Sequence, residues 1–307
     1  MFKLPNSLPS RTSSVEEITD YVEWECIKKT SISMYDVMKP IMYANDEIVV
    51  DGIEDESDLV INRIDDVLVE MGRRQVASSY KYPFSIEARG YKISVNNFRT
   101  SYWIYTYLLL CTRLNMRDHR TWKNIDGAKV FEKLSAVIAK SYFGKRSESE
   151  VFGTAEEGRF EEKVNLVCAC IGEGREFTNR SKHSPTAQDD KLDIVVWKSF
   201  SDQNRSKIIG FGQCKTGTSW DDSSMIELQP KDFCEKWFLD VPVSAPVKIF
   251  FSSQYFPLDD YAKAKNAGLV FDRFRILDYL PNDIDLDLLG RIQLWCRTAI
   301  YNMAKRN

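Results

Sequence analysis

The chain carries no excess of positive charge. Its 42 Lys and Arg are set against 45 Asp and Glu, a formal net charge of −3. No general attraction to nucleic acid follows from that balance, so any phosphate-binding surface must be local. A bound divalent cation supplies positive charge at such a site without altering the overall sum. Long apolar runs are also missing. The longest, around Tyr102 to Cys111, is too short to span a bilayer, so no membrane partner is expected. Met1 to Arg11 lacks the apolar segment of a secretory leader. The seven cysteines are scattered and odd in number, and none forms a Cys-x-x-Cys pair. Cys168 and Cys170, two apart on a predicted helix, face different directions, so zinc is set aside. Reduced thiols in a cytoplasmic protein are the expectation. The stretch Phe211 to Gly217 lacks the Gly-x-x-x-x-Gly-Lys-Ser/Thr order of a nucleotide-binding loop. There is no internal repeat and no low-complexity tract.

What is present is ordinary globular composition, 43% hydrophobic and 28% charged, in 307 residues. That length suits one large domain or two smaller ones. After a polar lead-in, apolar spacing predicts helices over Val15 to Lys28, Asp58 to Gly72, Tyr102 to Asn115 and Gly127 to Tyr142. Extended segments are expected around Tyr82 to Val95. The polar run Gly144 to Glu150 reads as a linker or exposed loop. Beyond it the expected order is a helix (158 to 171) and strands at about 174 to 180, 192 to 197 and 207 to 215. A helix (226 to 238), a strand (Val247 to Ser252), a helix (Leu258 to Ala267), a strand (Leu269 to Leu277) and a C-terminal helix (283 to 305) follow. This alternation predicts α/β architecture with a mixed sheet. Two regions are expected: 1–145, mainly helical, and 146–307.

Asp193 opens the apolar run to Trp197, and a second run, Ile208 to Lys215, ends in Gln213-Cys214-Lys215. Both read as strands joined by a hairpin-like loop. Alternation puts Gln213 and Lys215 on one face. An acid on one strand can therefore converge with a Gln-x-Lys pair on its neighbour. A hard divalent cation takes oxygen ligands: the Asp193 carboxylate, the Gln213 amide oxygen or the Cys214 carbonyl, and water. A lysine beside it can orient water or stabilise charge on phosphorus. An amide oxygen is a weaker ligand than a carboxylate, so a further acid is expected from the 158 to 171 helix. Glu157 and Glu161 both flank its apolar stripe, and periodicity does not choose between them. Alone, Asp193 is equally a strand-edge acid facing water, and Lys215 a solvated strand end.

The ordered set resembles the PD-(D/E)xK nuclease superfamily, the restriction-endonuclease-like fold. It is closest to the Mrr-like branch, where Gln replaces the acid before x-Lys. Leu192 stands where the superfamily name has Pro. That branch carries a helix Glu in a Gly-x-x-Phe-Glu pattern, and Gly158-Arg159-Phe160-Glu161 is similar with one residue fewer. The resemblance favours Glu161 over Glu157. It covers roughly Glu156 to Leu280 and implies an αβββαβ core with Glu161, Asp193, Gln213 and Lys215 as catalytic residues. It also implies Mg²⁺, with Mn²⁺ substituting, held by Asp193, Gln213, Cys214 and Glu161. The implied activity is cleavage of double-stranded DNA, in restriction or antiphage defence, by a homodimer or a subunit of a defence complex. Residues 1–145 would then serve recognition or regulation. Two further readings stand beside it: an inactive nucleic-acid-binding or assembly subunit, and a nuclease silent until a ligand or partner binds.

Other residues carry weaker signals. Phe131-Glu132 repeats the Phe-Glu pair, but it lies far upstream of the three expected strands and reads as structural. Arg175, Arg180, Lys182 and His183 are loop cations suited either to phosphates or to solvent. Asp189 and Asp190 read as turn residues or water-mediated ligands. Trp220 reads as a packing residue or a base-stacking one. Arg113, Arg117, Arg120 and Lys123 form a basic cluster, either a DNA-backbone contact or a solvated loop.

Overall fold

The computed structural model describes residues 7–43, 56–87, 91–97, 99–153, 158–180, 190–217, 222–255 and 265–304. Helix α1 (Val15–Lys29) starts where Ser14 accepts the Glu17 amide on its side chain. Strand β1 (Ser31–Ser33), α2 (Met34–Tyr43), α3 (Glu56–Ala77), β2 (Phe84–Ile86), β3 (Lys92–Val95) and α4 (Thr100–Arg113) follow. The three short strands form an antiparallel sheet in the order β1-β3-β2. A small hairpin, β4 (Thr121–Trp122) and β5 (Ile125–Asp126), leads directly into α5 (Gly127–Phe143). Asp126 caps α5 by accepting the Ala128 and Lys129 amides.

The main sheet holds β6 (Ser147–Val151), β7 (Ile194–Lys198), β8 (Ile208–Lys215), β9 (Val247–Ser252) and β10 (Leu269–Phe271), in the order β10-β9-β8-β7-β6. The β6–β7 and β7–β8 pairs are antiparallel, and β8–β9 and β9–β10 are parallel. The fold is thus mixed α/β with a mixed sheet. Helix α6 (Phe160–Ile171) lies between β6 and β7 in sequence, and α7 (Asp222–Ile226) and α8 (Pro230–Trp237) lie between β8 and β9. The chain continues through α9 (Arg273–Asp278) into α10 (Leu286–Ala304).

Strand alternation divides the sheet into two faces. Ile194, Val196, Ile249 and Phe251 join a core with Val130, Phe131, Leu134 and Ile138 of α5 and Trp295 of α10. Val195, Trp197, Ile209 and Phe211 join a second core with Phe160, Val164 and Val167 of α6 and Phe233 and Trp237 of α8. Two glycines on β8 allow close packing on the α5 face. A Cβ at Gly210 would lie 2.7 Å from Ile249 Cδ1 and 3.0 Å from Phe143 Cζ, and one at Gly212 would lie 2.5 Å from Ile194 Cγ1. Gly212→Ala is therefore expected to cost about 1–3 kcal/mol through overpacking, read as a lower urea midpoint with an unchanged slope.

Three sequence expectations are corrected. The polar run before residue 151 is the edge strand β6, because Ser147 to Val151 pair residue by residue with β7, with Ser147 buried and only Glu148 exposed. Residues 174 to 180 do not join the sheet. They run beside the end of α8, with the Thr178 and Arg180 amides donating to the Trp237 and Lys236 carbonyls. The apolar segment Leu269 to Leu277 divides, because Asp272 accepts the Phe274 and Arg275 amides and starts α9. The helix expected at Leu258 to Ala267 falls largely outside the described residues.

Charges fill the junction of α1, α3, α4 and α9. Arg74 and Arg273 are fully buried. Arg74 donates to Asp20 at 2.7 Å, Glu23 at 2.8 Å, Glu70 at 2.7 Å and the Glu16 carbonyl at 3.0 Å. Arg273 grips both Asp20 oxygens, at 2.8 and 3.1 Å, and donates to the Ser253 carbonyl at 3.1 Å. Tyr82 and Tyr105 donate their hydroxyls to Glu23.

Candidate active site

The candidate site is built where β6, β7 and β8 end together. The Phe152 and Gly153 amides, just past β6, both donate to the Asp193 carbonyl, at 2.7 and 2.9 Å. The Asp193 amide donates to the Gly212 carbonyl at 2.9 Å. The antiparallel register that pairs Ile194 with Gly212 sets Asp193 opposite Gln213. The half-buried Asp193 carboxylate accepts the Cys214 amide at 2.6 Å. In a strand, a residue's N–H and C=O point to the same edge, so the Cys214 carbonyl also points toward Asp193.

A second carboxylate shares this space, and it comes from α5. Glu132 is buried at 5% exposure. A Cβ at Gly153 would lie 2.7 Å from Glu132 Oε2 and 2.8 Å from Asp193 Oδ1, so the two acids flank the bare Gly153 backbone. Burial, followed by the charges of Asp193 and Glu132 among other neighbours, pushes the Cys214 thiol far above its usual range, so this cysteine is no nucleophile. Glu132 belongs to the Phe131-Glu132 pair, which from sequence reads as structural. Its signal was there: a Phe-Glu pair with the Glu off the apolar stripe of an otherwise well-patterned helix.

Gln213 and Lys215 share a face, as strand alternation predicts, and they share a partner. Gln213 Nε2 donates to Glu227 Oε2 at 2.8 Å, and Lys215 Nζ donates to the same oxygen at 2.9 Å. Lys191 Nζ stands 3.6 Å from the other Glu227 oxygen. Burial acts to raise the Glu227 pKa. The hydrogen bonds and charges of Lys215, Gln213 and Lys191 outweigh it and hold the carboxyl below its usual range. Gln213 is 1% exposed, and its Oε1 is buried with no hydrogen-bond partner among the described residues. Sequence spacing offered no route to Glu227, which sits in the turn after α7.

Comparison with protein-family models, curated proteins and solved structures found no match.

The remaining candidates fall elsewhere. Glu161 is exposed in the first turn of α6, with Arg159 as its charged neighbour. What α6 brings to the site region is a cation: the buried Lys163 donates to the Gly153 carbonyl at 2.9 Å. Asp190 accepts the Trp237 indole N–H at 2.6 Å. Arg175 pairs with Asp240 at 3.6 Å, and Arg180 donates to the Leu239 carbonyl. In the basic cluster, Arg113 is buried over the Tyr21 ring and Arg120 pairs with Asp126 at 2.8 Å, while Arg117 and Lys123 are exposed. Glu157, Lys182, His183, Asp189 and Trp220 lie outside the described residues.

The donor set is two carboxylates, a partnerless buried amide oxygen and a backbone carbonyl. Mg²⁺ is commonly held by one or two carboxylates, with water and substrate phosphate completing its shell. The residues present fit that demand. Among the described residues no group of three or more His, Cys, Asp and Glu side chains is arranged to hold a metal ion by itself. No helix among the described residues is long and apolar enough to cross a membrane.

Proposed function

We propose that this chain is a metal-dependent nuclease that hydrolyses phosphodiester bonds in double-stranded DNA, with restriction or antiphage defence as its setting. The observation that carries the reading is the meeting of Glu132 and Asp193 around Gly153, beside the Gln213-Cys214-Lys215 strand end. The element order supports a restriction-endonuclease-like core: helix α5, strands β6, β7 and β8, helix α8 and strand β9, with α6 inserted after the first strand. On this reading the helix acid is Glu132. Seven free cysteines suit a reducing cytoplasm.

Asp193, Glu132, Gln213 Oε1 and the Cys214 carbonyl would hold Mg²⁺, or Mn²⁺ in its place. Such a cation polarises the scissile phosphate and acidifies a water molecule. Lys215 stabilises the negative charge that develops on the phosphate oxygens. The bare Gly153 backbone leaves room for the acid pair, which a Cβ there would strike. Residues 1–145, which include α5, would add recognition or regulation to the acid they supply.

Lys215→Ala tests the reading. It is expected to lower Mg²⁺-dependent nicking of a supercoiled plasmid by about 10²-fold. The fold should survive, because this side chain at a strand end fills no core space. Cleavage at the wild-type rate would remove Lys215 from the chemistry. A second reading, an inactive nucleic-acid-binding or assembly subunit, draws on one observation: the strand position before Cys214 holds an amide, not an acid. Wild-type protein that binds DNA but leaves the plasmid intact in both Mg²⁺ and Mn²⁺ would favour it.

A further inference from the structure

On the nuclease reading above, we infer that Glu227 is a positioning residue: it orients the Gln213 amide so that its oxygen is left for the metal, and it holds Lys215 beside it. Glutamine has two ends of nearly equal shape, one a donor and one an acceptor. A carboxylate only accepts, so Glu227 can take only the Nε2 end. It does so at 2.8 Å, and the opposite end, Oε1, is the buried atom without a partner. The same Glu227 oxygen takes Lys215 Nζ at 2.9 Å, which ties the ammonium to the face that Gln213 occupies. A strand amide thus acts as a defined oxygen ligand, because an acid from the turn after α7 selects its orientation.

A surface ion pair is the simpler account of these contacts, and the two accounts diverge on measurement. Lys215 and Glu227 side chains are 25% and 30% exposed, so as a salt bridge alone the pair adds little stability and nothing to metal affinity. A positioning role instead makes metal affinity depend on which end of the Gln213 amide is bound.

The test uses the full chain. Calorimetric Mn²⁺ titration, thermal melting and Mg²⁺-dependent plasmid nicking are measured on wild type, Glu227→Gln, Gln213→Glu and the Gln213→Glu/Glu227→Gln double variant. Glu227→Gln lets either amide end face the site. It should weaken Mn²⁺ binding about tenfold and nicking about 10–100-fold, with little change in melting temperature. Gln213→Glu alone brings two carboxylates to hydrogen-bond distance and should also bind and cut poorly. The double variant restores one acid and one amide across the same bond, and should recover Mn²⁺ affinity to within a few-fold of wild type. Glu235→Gln, in an exposed pair with Lys231 on α8, serves as the neutral control. Wild-type Mn²⁺ affinity in Glu227→Gln, or a double variant no better than the worse single one, overturns the positioning role alone. Wild-type protein that binds no Mn²⁺ overturns the nuclease reading and the role of Glu227 with it.

Discussion

Glu132→Gln is expected to lower plasmid cleavage by about 10³-fold, the equivalent of the several kcal/mol that a metal's charge contributes at a phosphate. Glu161→Gln should leave the rate within about twofold, as for most exposed substitutions. The contrast follows from placement. Glu132 is buried beside Asp193 across Gly153, whereas Glu161 is exposed at the start of α6. Stability supplies a second readout. Two carboxylates in one small space repel when no cation lies between them, so Glu132→Gln should melt no lower than wild type without metal. It should also lose the rise in melting temperature that Mn²⁺ gives the wild type. If instead Glu161→Gln is dead and Glu132→Gln cuts normally, α5 plays no part in the chemistry.

Arg74→Ala should destabilise the chain by about 3–5 kcal/mol, because it leaves buried carboxylates without their cation. Urea denaturation at neutral pH measures it. The pH dependence has a definite sign. Burial acts to raise the Asp20 pKa, but the charges of Arg273 and Arg74 prevail and hold it at about 2. A depressed carboxyl contributes stability above its unfolded pKa, about 4, and that contribution is lost as pH falls toward 2. Glu23 is shifted the opposite way: burial raises it, and Arg74 only partly offsets that. Its contribution is full below the unfolded pKa and fades as pH rises through the folded one. Removing Arg74 raises both groups. The variant should therefore lose its acid-side stability at higher pH than wild type, and should lose more stability than wild type as pH rises through the Glu23 titration. A variant with the wild-type pH profile would show that Arg74 does not carry the junction.

Periodicity and capping made much of the fold readable. Helix α1 begins after Ser14 and α5 after Asp126, each side chain accepting first-turn amides, and both lie within a residue or two of the predicted bounds. Strand β9 matches its apolar run. The failures share a cause, which is partner choice. Ser147 to Val151 is polar because an edge strand has one neighbour, and polarity alone reads as loop. Residues 174 to 180, expected as a strand, find their backbone partners at the end of α8. Within the site, the shared face of Gln213 and Lys215 follows from alternation and was legible. Glu132 showed only through its Phe-Glu pair, and its place in the site did not follow, because α6 intervenes between β6 and β7, and the helix nearest the Asp193 strand in sequence is not the one that supplies its neighbour. Glu227 depends on a turn folding back onto β8, which no local pattern encodes.

The clamp at the end of β6 has a consequence for how this chain can vary. Phe152 and Gly153 donate their amides to the Asp193 carbonyl, so the segment from 154 to 192 leaves and re-enters the sheet at one point. Its two ends are joined by the sheet itself, and closure entropy rises only slowly with length. Outside α6, whose Phe160, Val164 and Val167 belong to the second core, residues can be added to or removed from this excursion while Asp193, Gly153 and the strand register stay where they are. On the nuclease reading, a change in the length of this excursion would alter what meets the DNA while Asp193 and Gly153 stay in place.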